Sequence, residues 1–138
     1  MKILVLCTGN SCRSQMGEAY LKSLNNNLEV VSAGTQPSKE VHPLAIKVMQ
    51  EDGLDLSKNY PKSVNEFLQE SFDYVITVCG GAKESCPMFT GKVKFFIHIG
   101  FDDPAEATGT EEFIISEFRR IRDEIKNDFG KFYSEELS

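Results

Sequence analysis

Short apolar runs alternate with amphipathic stretches along the whole chain. The apolar runs have the length of buried β-strands and cover residues 3–6, 28–32, 72–78 and 93–97. Between and after them, apolar residues recur at helical spacing over residues 14–24, from Pro43 to the Asp52-Gly53 pair, over 63–70 and over 111–129. Strands that alternate with helices are typical of a parallel sheet with right-handed crossovers. The pattern predicts one α/β domain over residues 1–138, with three layers and a four-stranded parallel sheet flanked by helices.

The predicted terminal helix has a stripe of large apolar residues, which we interpret as a packing surface: Phe113, Ile114, Phe118, Ile121, Ile125 and Phe129. In a parallel sheet, ligands bind beyond the carboxyl ends of the strands. Functional residues are therefore expected where the predicted strands end.

The composition and charge of the chain argue against several classes of function. The chain has 138 residues, a net charge of −6 and 26% charged residues, which argues against general nucleic-acid binding. The apolar start is four residues long, against about 7–15 in a secretion signal, and no later segment is apolar enough to span a membrane. We expect a cytoplasmic monomer with no nucleic-acid or membrane partner.

The first strand leads directly into a loop that is suited to bind an anion. A strand, a tight loop of small residues and a helix N-terminus leave several backbone N–H groups unpaired, and the helix dipole adds positive potential. Candidate oxyanion-binding residues are Thr8, Gly9, Asn10, Ser11, Cys12, Arg13 and Ser14. The nucleotide P-loop requires a Lys that this loop lacks, so ATP or GTP binding is not expected.

Cys7 and Arg13 frame this loop. The field that holds an oxyanion also favours a thiolate, so we expect the pKa of Cys7 to be lowered and Cys7 to act as a nucleophile. The planar guanidinium of Arg13 can bind two oxygens of a tetrahedral anion. The alternative is that Cys7 is a buried cysteine at the end of a strand, with no chemical role.

A cysteine, five residues and an arginine form the phosphatase signature loop. With Cys-Thr-Gly-Asn-Ser-Cys-Arg-Ser-Gln-Met near the N-terminus, Ser-Ala-Gly at 32–34 and Gly-Phe-Asp-Asp-Pro-Ala at 100–105, the chain resembles the low-molecular-weight tyrosine phosphatase fold. Within it, the chain is most similar to the thioredoxin-coupled arsenate reductases. The resemblance covers nearly the whole chain.

Cys79 and Cys86 match, with Cys7, the three redox cysteines of those reductases. The resemblance implies reduction of arsenate to arsenite through a relay of disulfides, for arsenic detoxification, with electrons from reduced thioredoxin and no other cofactor. The implied partners are arsenate or a phosphate-like oxyanion, and thioredoxin. The alternative is that Cys79 and Cys86 are unrelated loop thiols. Their spacing does not fit a structural zinc site.

Asp103 precedes Pro104, where the wider fold places a general acid that protonates the leaving oxygen. The alternative is an ordinary Asp-Pro turn, in which we expect Asp102 rather than Asp103 to make the turn. Phosphatases of this fold follow the Asp-Pro pair with aromatic residues, whereas this chain has Ala-Glu-Ala at 105–107. That difference favours a small inorganic oxyanion over a phosphotyrosine as the substrate.

Several secondary roles follow from the same resemblance. We expect Asn10 to hold the loop by hydrogen bonds, Ser14 to contact the Cys7 sulfur, and Cys12 to shape the loop. Some relatives bind potassium at residues that match Asn10, Glu18 and Ser32, and we hypothesise that the ammonium group of Lys62 replaces that cation here. No metal is expected, and His42 and His98 are isolated in the sequence.

Two other functions remain open from the sequence. A low-molecular-weight protein tyrosine (aryl) phosphatase would use Cys7, Arg13 and Asp103 without Cys79 or Cys86, and weak phosphatase activity is expected even of a reductase. A redox or oxyanion sensor would bind the anion or form the disulfide without turnover.

Overall fold

The four strands form one parallel sheet. The computed structural model describes all residues, 1–138. The strands are β1 (Lys2–Cys7), β2 (Glu29–Gly34), β3 (Phe72–Thr77) and β4 (Val93–His98), and their order in the sheet is β2-β1-β3-β4. Every neighbouring pair is parallel. The predicted fold class, an α/β domain with a four-stranded parallel sheet, is confirmed.

Four α-helices flank the sheet: α1 (Arg13–Leu24), α2 (Pro43–Glu51), α3 (Gly80–Glu84) and α4 (Glu111–Phe132). Short 3₁₀ turns occupy Val64–Phe67 and Pro104–Glu106, and a π-helical turn, Tyr133–Leu137, follows α4. The 63–70 helix predicted from sequence is therefore only a 3₁₀ turn, capped by Ser63. The five-residue helix α3 was not predicted, because Gly-Gly-Ala-Lys-Glu carries no apolar periodicity.

One continuous core lies between the helices and the sheet. Residues 3–6 of β1 are fully buried, as expected of a central strand. Along α4 the predicted stripe is confirmed for Phe118, Ile121, Ile125 and Phe129, which are fully buried. Ile114 is only partly buried against the core, and Phe113, in the first turn of α4, is 50% exposed. None of the helices combines the length and the apolar character needed to cross a membrane.

The strand register brings two sequence-distant cysteines to one edge of the sheet. β1 and β3 are neighbours, with Leu6 paired to Thr77. Cys7 is the last residue of β1, and Cys79 follows β3 by two residues and caps α3. Both residues therefore lie at the carboxyl end of the sheet, where parallel sheets bind ligands.

The packing of α1 on α4 depends on a glycine. A Cβ atom built on Gly17 of α1 would lie 2.6 Å from a ring carbon of Phe129, and Phe129 is fully buried and cannot swing away. We expect Gly17→Ala to lower the free energy of unfolding by about 1–3 kcal/mol, as is usual for overpacking of a core. The measurement is urea unfolding followed by circular dichroism.

Gly130→Ala is the matched control, because Gly130 lies inside α4 and a Cβ atom there meets no other atom. It should raise the free energy of unfolding by about 0.5–1 kcal/mol through helix propensity alone. Equal effects of the two substitutions would contradict this account of the α1–α4 contact.

Candidate active site

The loop after β1 is shaped by a second segment that runs alongside it. The backbone N–H groups of Thr35, Gln36, Ser38 and His42 donate to the carbonyl oxygens of residues 7, 8, 9 and 11, at 2.9–3.1 Å. The C=O and the following N–H of a peptide unit point in opposite directions. Because these carbonyls face residues 35–42, the N–H groups of residues 8, 9, 10 and 12 are directed to the other side. The result is a cradle of backbone donors, which we call the oxyanion loop (residues 7–14).

Asn10 holds the oxyanion loop in place, as predicted. It is fully buried and has a positive φ of 53°, a conformation that Asn tolerates better than most residues. Its Nδ2 donates to Ser14 Oγ (2.7 Å) and Ser32 Oγ (3.0 Å), and its Oδ1 accepts from Gln15 Nε2 and from the backbone N–H of Lys62. The donors and acceptors of its side chain are therefore used to fix the loop.

A glycine lets β2 approach the same loop. A Cβ atom on Gly34 would lie only 2.4 Å from the carbonyl oxygen of Thr8. This contact gives a physical reason for glycine at the end of the Ser-Ala-Gly segment.

Arg13 begins α1 and extends over the pocket that the oxyanion loop encloses. Its Nη1 donates to the carbonyl oxygen of Phe101 (3.0 Å), and its Nη2 lies 3.5 Å from Asp103 Oδ2. Its Nε is buried and has no partner in the protein. A buried N–H without a partner is costly, so Nε is available to a bound anion.

The pocket has a volume of about 300 Å³ and is polar. It is lined by residues 7–13 together with Gln36, Ser38, Asp103 and Ala105, and no aromatic side chain contributes to its wall. Gln36 and Ser38 were missed from the sequence, because a loop of mixed polar residues carries no spacing signal.

Cys7 and Cys79 are in direct contact in the reduced protein. All four cysteines are free, and the two sulfur atoms lie 3.4 Å apart in a buried position. Cys79 Sγ also accepts from the backbone N–H of Ala82 (3.4 Å), in the first turn of α3, and lies 3.3 Å from Thr8 Oγ1. Cys79 is therefore surrounded by donors.

This arrangement reverses the expected ionisation of the two thiols. The hydrogen bond from Cys7 lowers the pKa of Cys79 to about 5, with help from Thr8, the Ala82 N–H and Arg13. The same hydrogen bond, with burial, raises the pKa of Cys7 despite the nearby Arg13 charge. The prediction of a lowered pKa for Cys7 was wrong for this state of the protein. Two thiolates in contact repel, so the pair keeps one proton, and the donors around Cys79 place the negative charge there.

The other two thiols have different environments. Burial raises the pKa of Cys12 to about 11, and its Sγ has one hydrogen-bond partner, Ser11 Oγ, at 3.7 Å. Cys86 lies beyond α3 and is partly buried, which raises the pKa of its thiol. Neither thiol makes a hydrogen bond to Cys7 or Cys79, so Cys86 must approach Cys79 before the two can react.

Asp103 lies at the pocket, and Asp102 does not. Besides its contact with Arg13, Asp103 caps the turn at Pro104–Glu106 by accepting from the Ala105 N–H (3.0 Å). Asp102 is 81% exposed in its side chain and lies 3.5 Å from Arg120. The expectation that Asp102 makes the turn was therefore wrong, and Asp103 both caps the turn and lines the pocket.

Two predicted contacts of the loop are absent. Ser14 Oγ accepts from Asn10 rather than contacting Cys7, because the side chain of Ser14 is on the buried side of the loop. The ammonium of Lys62 donates to the carbonyl oxygen of Tyr60 and lies over the Tyr60 ring, and Lys22 instead pairs with Glu18 at 2.8 Å. Lys62 therefore makes no direct ion pair with Glu18, because Lys22 is one helical turn from Glu18 on α1. The charge of Glu18 still acts on the pKa of Lys62, so the replacement of a cation by Lys62 stays a prediction.

The two histidines have structural partners. His42 Nδ1 accepts from the Leu44 N–H and so caps α2, and burial lowers the pKa of this histidine. His98 Nδ1 lies 2.8 Å from Thr77 Oγ1. No group of three or more His, Cys, Asp or Glu side chains is arranged to hold a metal ion.

A parallel sheet whose first loop carries a Cys-x₅-Arg cradle, with an Asp-Pro carboxylate beside it, defines a phosphatase-type oxyanion site. The family model for low molecular weight phosphotyrosine protein phosphatases matches residues 2–138, and the chain belongs to this family. Its relatives include a protein named arsenate reductase from Halalkalibacterium halodurans, 46% identical over 124 residues (89% of this chain, 88% of the relative). Another, also named arsenate reductase, is from Bacillus subtilis, 44% identical over 131 residues (94% and 93%).

A solved structure described as an arsenate reductase in the phosphate-binding state has a similar fold. It is 30% identical to this chain, covers 96% of each chain and superposes with a TM-score of 0.80. The similarity therefore extends over the sheet, the helices and the segments around the oxyanion loop.

The ionisation of the thiol pair is directly testable. Thr8→Val removes the hydroxyl beside Cys79 at nearly constant volume, so the thiolate loses a donor and its pKa should rise by about one pH unit above 5. The measurement is ultraviolet absorbance of the thiolate as a function of pH, on the reduced protein. Cys12→Ser should leave the low-pH step unchanged. A low-pH step that is lost in Cys7→Ser, where Cys79 keeps the Thr8 hydroxyl and the Ala82 N–H beside it, would show that the charge is on Cys7.

Proposed function

We propose that this protein reduces arsenate to arsenite, using Cys7, Cys79 and Cys86 in sequence and thioredoxin as the electron donor. The observation that carries the proposal is the 3.4 Å contact between the sulfur atoms of Cys7 and Cys79 at the base of an oxyanion pocket. Hydrolysis of a phosphate ester needs one nucleophilic sulfur, whereas transfer of two electrons to a bound oxyanion needs a second thiol within reach. The relatives named arsenate reductase support arsenate reduction as the activity.

In the first step, arsenate binds to the backbone N–H groups of the oxyanion loop and to Arg13. The Cys7 proton passes to Cys79 across their hydrogen bond, and the Cys7 thiolate attacks arsenic. An As–O bond breaks as the Cys7–As bond forms, and Asp103 supplies the proton to the departing oxygen, so water leaves. Arsenic is still pentavalent at this stage, and no electrons have been transferred.

In the second step, Cys79 attacks the sulfur of Cys7. Once Cys7 is bonded to arsenic it no longer carries a thiol proton or charge, so Cys79 can ionise without a neighbouring thiolate. The proton that Cys79 received from Cys7 passes to an oxygen of the arsenic group, which leaves protonated. Sulfur atoms 3.4 Å apart are at the distance of a near-attack arrangement. The Cys7–Cys79 disulfide forms, the Cys7–As bond breaks, and its electron pair stays on arsenic, which leaves as trivalent arsenite.

In the third step, Cys86 attacks Cys79 and releases Cys7 as a thiolate. Seven residues at about 1.5 Å each would separate the Cα atoms of Cys79 and Cys86 by about 10 Å in a helix, whereas a disulfide requires less than about 7 Å. Helix α3 must therefore unwind or loop out, so residues 80–92 should differ between reduced and oxidised forms. Gly80 and Gly81 reduce the barrier to that change. A dithiol protein of the thioredoxin class then reduces the Cys79–Cys86 disulfide.

Aryl phosphatase activity is the second candidate function. The family match, the Cys7–Arg13 loop and Asp103 at the pocket all favour it. The pocket wall argues against it as the main activity, because it contains no aromatic residue to hold a phosphotyrosine ring. We expect phosphatase turnover to be weak beside arsenate turnover.

Coupled turnover tests the proposal. With arsenate, thioredoxin, thioredoxin reductase and NADPH, the wild-type protein should oxidise NADPH continuously. Cys86→Ser should stop after at most a single turnover, because it cannot free Cys7 from the first disulfide. Cys12→Ser is the matched control and should retain turnover, since its thiol lies outside the relay and its backbone N–H is kept. Absence of arsenate-dependent oxidation, together with rapid hydrolysis of an aryl phosphate, would overturn the proposal in favour of a phosphatase.

A further inference from the structure

Two polar side chains at the mouth of the pocket have no partner in the protein. Gln36 and Ser38 both line the pocket and are exposed. The backbone N–H of each donates to a carbonyl of the oxyanion loop, Gln36 to Thr8 and Ser38 to Gly9, at 2.9 Å in both cases. Neither side chain makes a hydrogen bond within the protein. We call residues 35–38 the rim segment; its backbone is fixed, and its polar side chains are free to bind a ligand.

Ser38 is held close to the backbone of the oxyanion loop. Its Oγ lies 2.6 Å from the position that a Cβ atom on Gly9 would occupy. Only a glycine at position 9 allows the hydroxyl to come this near. The hydroxyl therefore lies against the oxyanion loop at Gly9, and both residues line the pocket.

The side chains at the mouth of the pocket favour a free oxyanion over an aryl ester. A free tetrahedral oxyanion presents oxygen atoms to the mouth of the pocket, whereas an aryl ester replaces one of them with a ring. Gln36, Ser38 and Ala105 offer donors and a small side chain at the mouth but no ring to stack on. A site built to hydrogen-bond an oxygen disfavours a ligand that lacks it, because the polar groups are then covered and unpaired.

We propose that Gln36 and Ser38 are specificity-determining residues, which hydrogen-bond the outer oxygens of a free tetrahedral oxyanion and select it over an aryl phosphate ester. This inference rests on the proposed function. It assigns substrate selection to the rim segment, whose backbone also hydrogen-bonds the carbonyl groups of the oxyanion loop. The backbone of the rim segment shapes the oxyanion loop, and its side chains determine which ligand binds there.

The test uses the full-length protein and the double substitution Gln36→Ala with Ser38→Ala. We expect kcat/KM for arsenate to fall about tenfold or more, and the inhibition constant of inorganic phosphate to rise by a similar factor, as hydrogen bonds to a charged ligand are lost. The kcat/KM for p-nitrophenyl phosphate should stay constant or rise. Lys39→Ala is the control, because Lys39 is exposed, adjacent to the rim segment and outside the pocket lining.

If Gln36 and Ser38 only maintained the structure of the pocket, the double substitution would also change the reactivity of the pocket thiols. The rate at which a small neutral reagent alkylates the thiols of the pocket should be the same in the double variant and the wild type, since the rim backbone is unchanged. An equal loss of arsenate and aryl phosphate activity, or no change in the ratio between them, would overturn the proposal. If the wild type did not reduce arsenate at all, the proposed function would fail, while phosphate inhibition of aryl phosphate hydrolysis would still test the rim.

Discussion

The register between β1 and β3 is the constraint on which the site depends. Because these two parallel strands are neighbours, Cys7 at the end of one and Cys79 just beyond the other meet with their sulfur atoms 3.4 Å apart. The same edge of the sheet carries the oxyanion loop at the N-terminus of α1. An anion site and a pair of thiols that share one proton are thus placed together by the topology of the sheet. This combination separates the protein from a simple phosphatase with a single catalytic sulfur.

Much of the fold and of the site could be predicted from the sequence, because short-range patterns encode them. The apolar runs gave all four strands, and the Cys7–Arg13 spacing located the oxyanion loop. Asn10 was correctly predicted to hold the loop, because the resemblance places an Asn at this position of the signature loop. These features depend on residues within a few positions of one another, or on a resemblance that quotes them directly.

The parts that sequence reasoning missed depend on distances that only the folded chain sets. The charge lies on Cys79 rather than Cys7, because α3, Thr8 and Cys7 all donate to it. Lys22 rather than Lys62 pairs with Glu18, since the choice depends on side-chain reach from α1. The rim residues Gln36 and Ser38 reach the pocket through backbone hydrogen bonds that no local motif encodes.

The most direct test of the account is a single turnover of the Cys86→Ser protein with arsenate, followed by peptide mapping of its disulfides. The account predicts a Cys7–Cys79 disulfide, formed in equal amount to the arsenite released, with Cys12 still reduced. Arsenite release without that disulfide, or a disulfide between Cys7 and Cys12 instead, would contradict it. Either result would mean that the contact between Cys7 and Cys79 is not the route by which electrons reach the bound oxyanion.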